Sequence, residues 1–303
     1  MESIESIRQA ARQLVRELNL LDTKHCIEGF SFSECHLITE LEALGTATAK
    51  RLGKILVLDK STMSRLCKGL LDRGYLEAAE DHSDRRRKLL RLSGQGREGA
   101  QKIHAYARDQ VGSALAYIAD EDLSTLVDGL ARYSKALKYA RLSRGLDMRP
   151  IRQQDNEQVA AIIRQVMTEY GAVGCGFAIL DEEVDDMHGH YPSDTSAFFV
   201  IEKDGNILGC GGIGPLAGGD EETCELRKMY FLPELRGTGM GTRLLGKSLK
   251  AARKLGYRRC YLETLESMSQ ARHLYHKHGF RQLDRPLGNT GHTGCNAWMA
   301  REL

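Results

Sequence analysis

The 303-residue sequence predicts two domains of different class, a mainly α-helical one over residues 1–142 and an α/β one over 150–303, with 143–149 as the linker. Three observations predict this division. The length exceeds what one hydrophobic core usually spans. Up to about residue 142 the apolar residues recur at helical spacing, as Ile4, Ile7, Ala11, Leu14 and Leu18 do near the start and Leu123, Leu126, Leu130, Tyr133 and Leu137 near the end. Beyond Ser143-Arg144-Gly145-Leu146-Asp147-Met148-Arg149-Pro150, where Gly and Pro interrupt that rhythm, strand-like runs alternate with helical ones.

In the first half, Thr46–Leu56, a short turn at Val57-Leu58-Asp59, and Lys60–Arg73 have the length and rhythm of a helix-turn-helix. Asp59 is placed to cap the second helix. Met63, Leu66 and Leu70 form its buried stripe, and Ser61, Thr62, Ser64, Arg65 and Lys68 fall largely on the opposite face. Short hydroxyls and cations can bond phosphates and base edges without holding the backbone out of a major groove. After Gly74 the period shortens to that of a hairpin, Tyr75–Ala79 and Lys88–Leu92, whose turn carries Arg85, Arg86 and Arg87. Guanidinium groups at such a tip suit a minor groove.

Asp59–Leu66 followed by Leu70–Leu76 resembles the recognition helix of MarR-type regulators, and Asp84–Arg87 with Leu92–Gly96 resembles their wing and the helix after it. Ser93 stands where that family usually has Thr. The resemblance covers about 1–142. It implies a mainly α winged helix-turn-helix fold, binding of double-stranded DNA at a roughly palindromic operator, and a homodimer formed by the first and last helices of this half.

In the second half, Ala197–Lys203 and Ile207–Ile213 flank Asp204-Gly205-Asn206, a hairpin signal. A strand is expected at Cys224–Leu232, a helix near 239–255, a strand at Arg259–Glu263, a helix near 267–278 and a last strand at Asn296–Arg301. The most specific stretch runs from Cys224 through Arg236-Gly237-Thr238-Gly239-Met240-Gly241-Thr242. There an apolar strand enters a Gly-rich turn that opens directly into a helix. Glycines let successive backbone N–H groups converge on an anion, and the helix dipole adds positive potential, so the turn suits a pyrophosphate. The dinucleotide-binding spacing fails, because with Gly237 counted as the first position the sixth is Thr242 instead of Gly, and no Gly-Lys-Ser/Thr follows. Gly209–Gly214 is glycine-rich too, but Pro215 and a loop follow instead of a helix, which marks a close-approach strand or bulge.

Arg236-x-x-Gly239-x-Gly241 resembles motif A of the GNAT acetyltransferases. Tyr261–Thr264 is similar to the next strand of that fold, and Ala271–Phe280 to its following helix and turn. The resemblance implies an α/β GNAT acyltransferase fold with acetyl-CoA as cosubstrate. The pyrophosphate would lie on backbone N–H groups from Arg236 to Thr242, and pantetheine along Met229, Tyr230 and Phe231. Glu225 occupies the place where some members carry a general-base glutamate, and Tyr275 the place of a general acid beside the sulfur. A phenol of pKa about 10 is better matched to protonating a thiolate than to activating an amine. His188 and His292 fall where the family builds substrate walls; His292 could contact substrate or relay a proton. Cys295 is expected to pack rather than react, since the family forms no covalent enzyme intermediate.

The remaining features narrow the setting. Lys plus Arg number 43 against 41 acidic residues, 42% of the chain is hydrophobic and 28% charged, which is ordinary for a globular protein. No apolar run approaches the ~20 residues of a membrane span. Eight cysteines stand singly with no Cys-x-x-Cys pair, so neither a metal site nor a disulfide frame is expected, and a cytoplasmic setting is. The favoured activity is a DNA-binding regulator that also acetylates the amine of a small metabolite. A regulator whose second half only senses acetyl-CoA, and an acetyltransferase of protein lysines, remain as alternatives.

Overall fold

The computed structural model describes residues 2–22, 27–80 and 88–303, which form two compact units, 1–126 and 127–303. In the first, α1 (Glu2–Glu17), α2 (Phe32–Leu44), β1 (Ala47–Thr48), α3 (Ala49–Leu56), α4 (Lys60–Asp72), β2 (Leu76–Glu80), β3 (Lys88–Leu92) and α5 (Gly94–Leu115) follow in order, and α6 (Asp120–Leu142) crosses the division. Leu37, Ile38 and Leu41 of α2 meet Leu52, Leu70, Leu90 and Ile103 in the core. Burying each such side chain contributes about 1.5–3 kcal/mol. α3 ends at Val57, in the left-handed conformation (φ 58°, ψ 40°), and Asp59 caps α4 by accepting from the N–H groups of Ser61 at 2.8 Å and Thr62 at 2.9 Å. Gly53 permits the close crossing of the two helices, because a Cβ there would stand 3.3 Å from the Leu58 carbonyl oxygen. The helix expected from Thr46 starts later. Ala47 and Thr48 pair with Leu90 and Leu89, and the Thr48 hydroxyl then caps α3. β1, β3 and β2 make a small antiparallel sheet.

The second unit contains β4 (Asp147–Pro150), α7 (Asn156–Glu169), β5 (Ala197–Lys203), β6 (Asn206–Pro215), β7 (Thr223–Phe231), α8 (Met240–Lys254), β8 (Arg259–Thr264), α9 (Ser269–Lys277), β9 (Arg281–Leu283) and β10 (Ala297–Glu302). The strands form one seven-stranded sheet in the order β4-β5-β6-β7-β8-β10-β9. Neighbours are antiparallel except β7 and β8, which are parallel and so need the crossover helix α8 between them. β5 shows why both faces are covered: Phe198 and Val200 pack with Val159 and Ile163 of α7, while Phe199 and Ile201 pack with Met240 and Leu244 of α8.

Asp147–Arg149, read above as linker, pair with β5 as the edge strand β4. Arg149 fixes it, reaching both Asp155 oxygens at 2.6 and 2.9 Å and Glu202 at 2.6 Å. The β5–β6 hairpin turns at Asp204 and Gly205, both at positive φ. The glycines at 209–214 lie within β6, where the pairing with β7 shifts register between Cys210 and Gly212. No helix among the described residues is long and apolar enough to cross a membrane.

Candidate active site

The site begins with a strand that leaves its neighbour. β7 runs to Phe231, yet it pairs with β8 only through Thr223, Cys224 and Glu225. Lys228 adopts a left-handed conformation (φ 51°) at the register shift against β6, and this bulge bends the end of β7 away from β8. A cavity of about 170 Å³ opens beside the parted strand. Met229, Tyr230 and Phe231 line one wall, Met268, Leu274 and Tyr275 another, and Arg236, Gly237 and Gly241 one end. Of the ten residues expected from the sequence to hold the cofactor, six line this cavity; Thr238, Gly239, Met240 and Thr242 do not.

Their roles differ, however. The Thr238 hydroxyl is committed to the Leu235 carbonyl at 2.6 Å, and Met240 is buried in the core, so only their backbones can serve a ligand. Arg236 is held by both oxygens of Glu169 at 2.5 and 2.7 Å and by the Phe231 carbonyl at 2.9 Å; it braces the turn. Gly237 and Gly239 have φ of 74° and 85°, and Gly239 begins α8 with no side-chain cap. The Met240 N–H donates to the Thr238 hydroxyl at 3.4 Å, so the N–H groups of Gly241 and Thr242, which lie in the first turn and lack a carbonyl partner within the helix, are the donors available to an anion such as a pyrophosphate. Tyr275 is buried against Phe280, and burial pushes its phenol well above the ordinary value, so it holds its proton.

On the other side of the bulge lies a network of charges. Glu225 is 4% exposed; burial raises its carboxyl above the ordinary value, against the pull of Arg227, whose Nε stands 2.7 Å away. Lys228, also buried, meets Asp181 and Glu183, the latter at 3.0 Å. The Nε2 of His292 is 3.0 Å from Asp181 and its Nδ1 is 3.7 Å from Glu263. Glu263 in turn accepts from the Tyr261 and Thr290 hydroxyls at 2.7 and 3.0 Å. Burial would raise the Asp181 carboxyl, but His292 and Lys228 outweigh it and bring it down to about 2. The segments carrying Asp181 and His292 are also stitched by the Gly294 N–H, which donates to the Gly176 carbonyl at 2.9 Å.

Residues 162–280 match the model of the acetyltransferase (GNAT) family. The uncharacterized N-acetyltransferase YjgM of Escherichia coli (strain K12) is 42% identical over 157 residues, covering 52% of this chain and 94% of that protein. The chain belongs to the GNAT acetyltransferase family. Its second unit is therefore an acyltransferase domain, and residues 28–87 match the MarR family, so the first carries a MarR-like regulator domain. Among solved structures, a GNAT-family acetyltransferase from Staphylococcus aureus Mu50 aligns with a TM-score of 0.46 at 19% identity, covering 52% of this chain and 98% of that one. A probable transcriptional regulator from Pseudomonas aeruginosa aligns with a TM-score of 0.35 at 26% identity, covering 42% and 92%.

Within this GNAT domain His188 stays apart from the charged network. It is exposed, and its backbone N–H donates to Asn156 at 2.9 Å. Asp181, Glu183, Arg227, Lys228 and Glu263 were not singled out from the sequence, although Lys228 adjoins the marked Met229 and Arg227 lies two residues from Glu225. In the MarR-like domain, Ser64, Arg65 and Lys68 are exposed along α4. The Ser61 and Thr62 hydroxyls donate to Asp59 at 2.6 and 2.7 Å, which leaves them lone pairs but no proton for a nucleic acid. Arg85, Arg86 and Arg87 lie outside the described residues. A cationic cleft lined by Lys50, Arg51, Lys54 and Lys88 was missed, though Lys50-Arg51-x-x-Lys54 marks one face of α3.

Proposed function

We propose that this chain transfers acetyl from acetyl-CoA to the amine of a small metabolite, and that its MarR-like half binds double-stranded DNA as a homodimer. The observation that carries the enzymatic reading is the position of two groups about the parted end of β7. A buried, base-type carboxylate, Glu225, stands where β7 and β8 separate, and a protonated phenol, Tyr275, lines the cavity beyond.

Glu225 takes a proton from the acceptor ammonium; the freed amine attacks the thioester carbonyl, with the β7 backbone near Met229–Phe231 orienting it. The carbon–sulfur bond breaks, and Tyr275 protonates the departing thiolate and is reprotonated by the proton still on the new amide nitrogen. The loop contacts at Gly176–Gly294 and Asp181–His292 enclose the acceptor side, which favours a small amine over the lysine of a protein. The test is release of free CoA thiol against amino acids, polyamines, aminoglycosides and lysine peptides. Turnover on one small-amine class, slowed about 10- to 100-fold by Tyr275→Phe, is expected. Tight acetyl-CoA binding with no turnover on any amine would favour the sensing role instead.

The exposed face of α4 and the cations of α3 support DNA binding. Apolar side chains left uncovered in the single chain, among them Ile4, Leu14, Val111, Leu130 and Leu137, support dimerisation. Arg65→Ala with Lys68→Ala should weaken operator binding and flatten the plot of log affinity against log salt by roughly one unit for each phosphate no longer neutralised. An unchanged slope would argue against α4 as the DNA-reading element.

A further inference from the structure

The Gly-rich turn that begins α8 is touched by a side chain from outside the cavity. A Cβ placed on Gly239 would stand 2.5 Å from Cγ of Tyr139 and 2.7 and 2.9 Å from its two Cδ atoms, so the ring of this α6 residue lies directly on the glycine. At Gly237, also at positive φ, such a Cβ would meet no atom of the described residues within 4 Å. Both glycines serve the backbone conformation, but Gly239 also makes room for the ring. Tyr139 belongs to the second unit, which begins at Val127, although the sequence assigns residues up to 142 to the other domain.

The surroundings hold this contact in place. Tyr139 is half-buried, whereas Leu130, Tyr133 and Leu137 before it are exposed. Past α6 the chain stays with the same helix. Leu146 and Met148 pack with Met240 and Leu244 of α8, and Lys247 donates to the Met148 carbonyl at 2.8 Å. One turn before Tyr139, the ammonium of the exposed Lys135 stands 5.7 Å from the ring centroid, within cation–π range.

We propose that Tyr139 and Lys135 complete the acetyl-CoA site from α6: the ring holds Gly239 so that the Gly241 and Thr242 N–H groups stay aimed at the pyrophosphate, and the ammonium over the ring attracts the phosphates. The inference rests on the cofactor reading of the turn and extends the site to a helix that the acetyltransferase motifs do not include. Gly239 heads α8 with no side-chain cap, and glycine is the residue with the most backbone freedom to lose. An unbraced turn would have to be ordered by the ligand, at the expense of affinity; the ring orders it beforehand. Lys135 adds its charge beside a helix N-terminus that already favours an anion. Tyr139 is a positioning residue, because it acts through Gly239.

The test compares two ligands on the full chain: acetyl-CoA, and S-acetylpantetheine, which carries the same thioester arm without the pyrophosphate and nucleotide. Tyr139→Ala should weaken acetyl-CoA binding about tenfold and leave S-acetylpantetheine within about twofold, and Tyr139→Phe, which keeps the ring, should restore the affinity. Lys135→Ala should weaken acetyl-CoA binding by about two- to fivefold at low salt, with the difference fading at high salt. A Tyr139→Ala chain with wild-type affinity for acetyl-CoA would show that the ring merely packs, and tighter binding would show that it stands in the phosphates' way; either overturns the proposal. Equal losses for both ligands would mean a general loss of packing and overturn it too. If Tyr139→Ala does not fold, Lys135→Ala decides, and unchanged affinity at low salt sinks the assignment. A wild type that binds S-acetylpantetheine no more weakly than acetyl-CoA would instead overturn the pyrophosphate reading of the turn itself.

Discussion

Glu225→Gln is expected to lower kcat by about 100- to 1000-fold, the scale on which a positioned general base acts. Glutamine fills the same volume and its amide oxygen can still accept from Arg227, so the change removes basicity while leaving the shape. The KM for acetyl-CoA should stay within about twofold, because Glu225 does not line the cavity beside Tyr275. Stability should change little. Arg227 loses a charged partner, but the fold no longer holds a carboxylate that burial disfavours. Steady-state kinetics and thermal unfolding on one preparation separate these effects. A variant with near-normal kcat would show that the amine is deprotonated elsewhere and would demote Glu225 to an anchor for Arg227.

The two halves of this site were unequally legible in the sequence. The pyrophosphate turn could be read because its chemistry is local. Glycine spacing, an apolar strand before it and a helical stripe after it all lie within one stretch, and Gly237 and Gly239 do take the positive φ that such a turn requires. Asp204-Gly205 was readable for the same reason. The acceptor side was legible only in part: Glu225 and His292 were marked, but not the ion pairs around them. The Asp181–Glu183 segment, Lys228, Glu263 and His292 are far apart in the chain, and they meet only because β7 lies beside β8 and two loops fold over that junction. No periodicity announces such a meeting. The edge strand β4 was hidden likewise: four residues ending in proline carry little strand signal, and what makes them a strand is pairing with β5 and the grip of Arg149 on Glu202. Similarly, the capping role of Asp59 could be foreseen from its place, but not that Ser61 and Thr62 would turn their hydroxyls back onto it.

Lys228 decides whether the bulge or the ion pairs hold the acceptor side together, and Lys228→Gly distinguishes them. The left-handed backbone costs a lysine about 1–2 kcal/mol, which glycine recovers. Removing the ammonium, however, strands Asp181 and Glu183, whose side chains are only 28% and 15% exposed. Breaking a buried pair costs about 3–5 kcal/mol, less here because His292 and Arg227 still face those carboxylates. The loss should win, leaving Lys228→Gly roughly 2 kcal/mol less stable than the wild type, while Lys228→Met, which keeps the backbone strain, should lose about 1 kcal/mol more. The pH dependence carries the same signature. Asp181 has a folded-state value lowered to about 2, so its contribution is present above the ordinary carboxylate value of 3.8 and disappears as pH falls through that window. Without Lys228 the lowering shrinks, and the variants should lose less stability than the wild type between about pH 4 and 2. Urea unfolding at neutral and acid pH tests both statements. A glycine variant as stable as the wild type at neutral pH would mean that the strand bends here to relieve its own geometry, and that the charges merely follow.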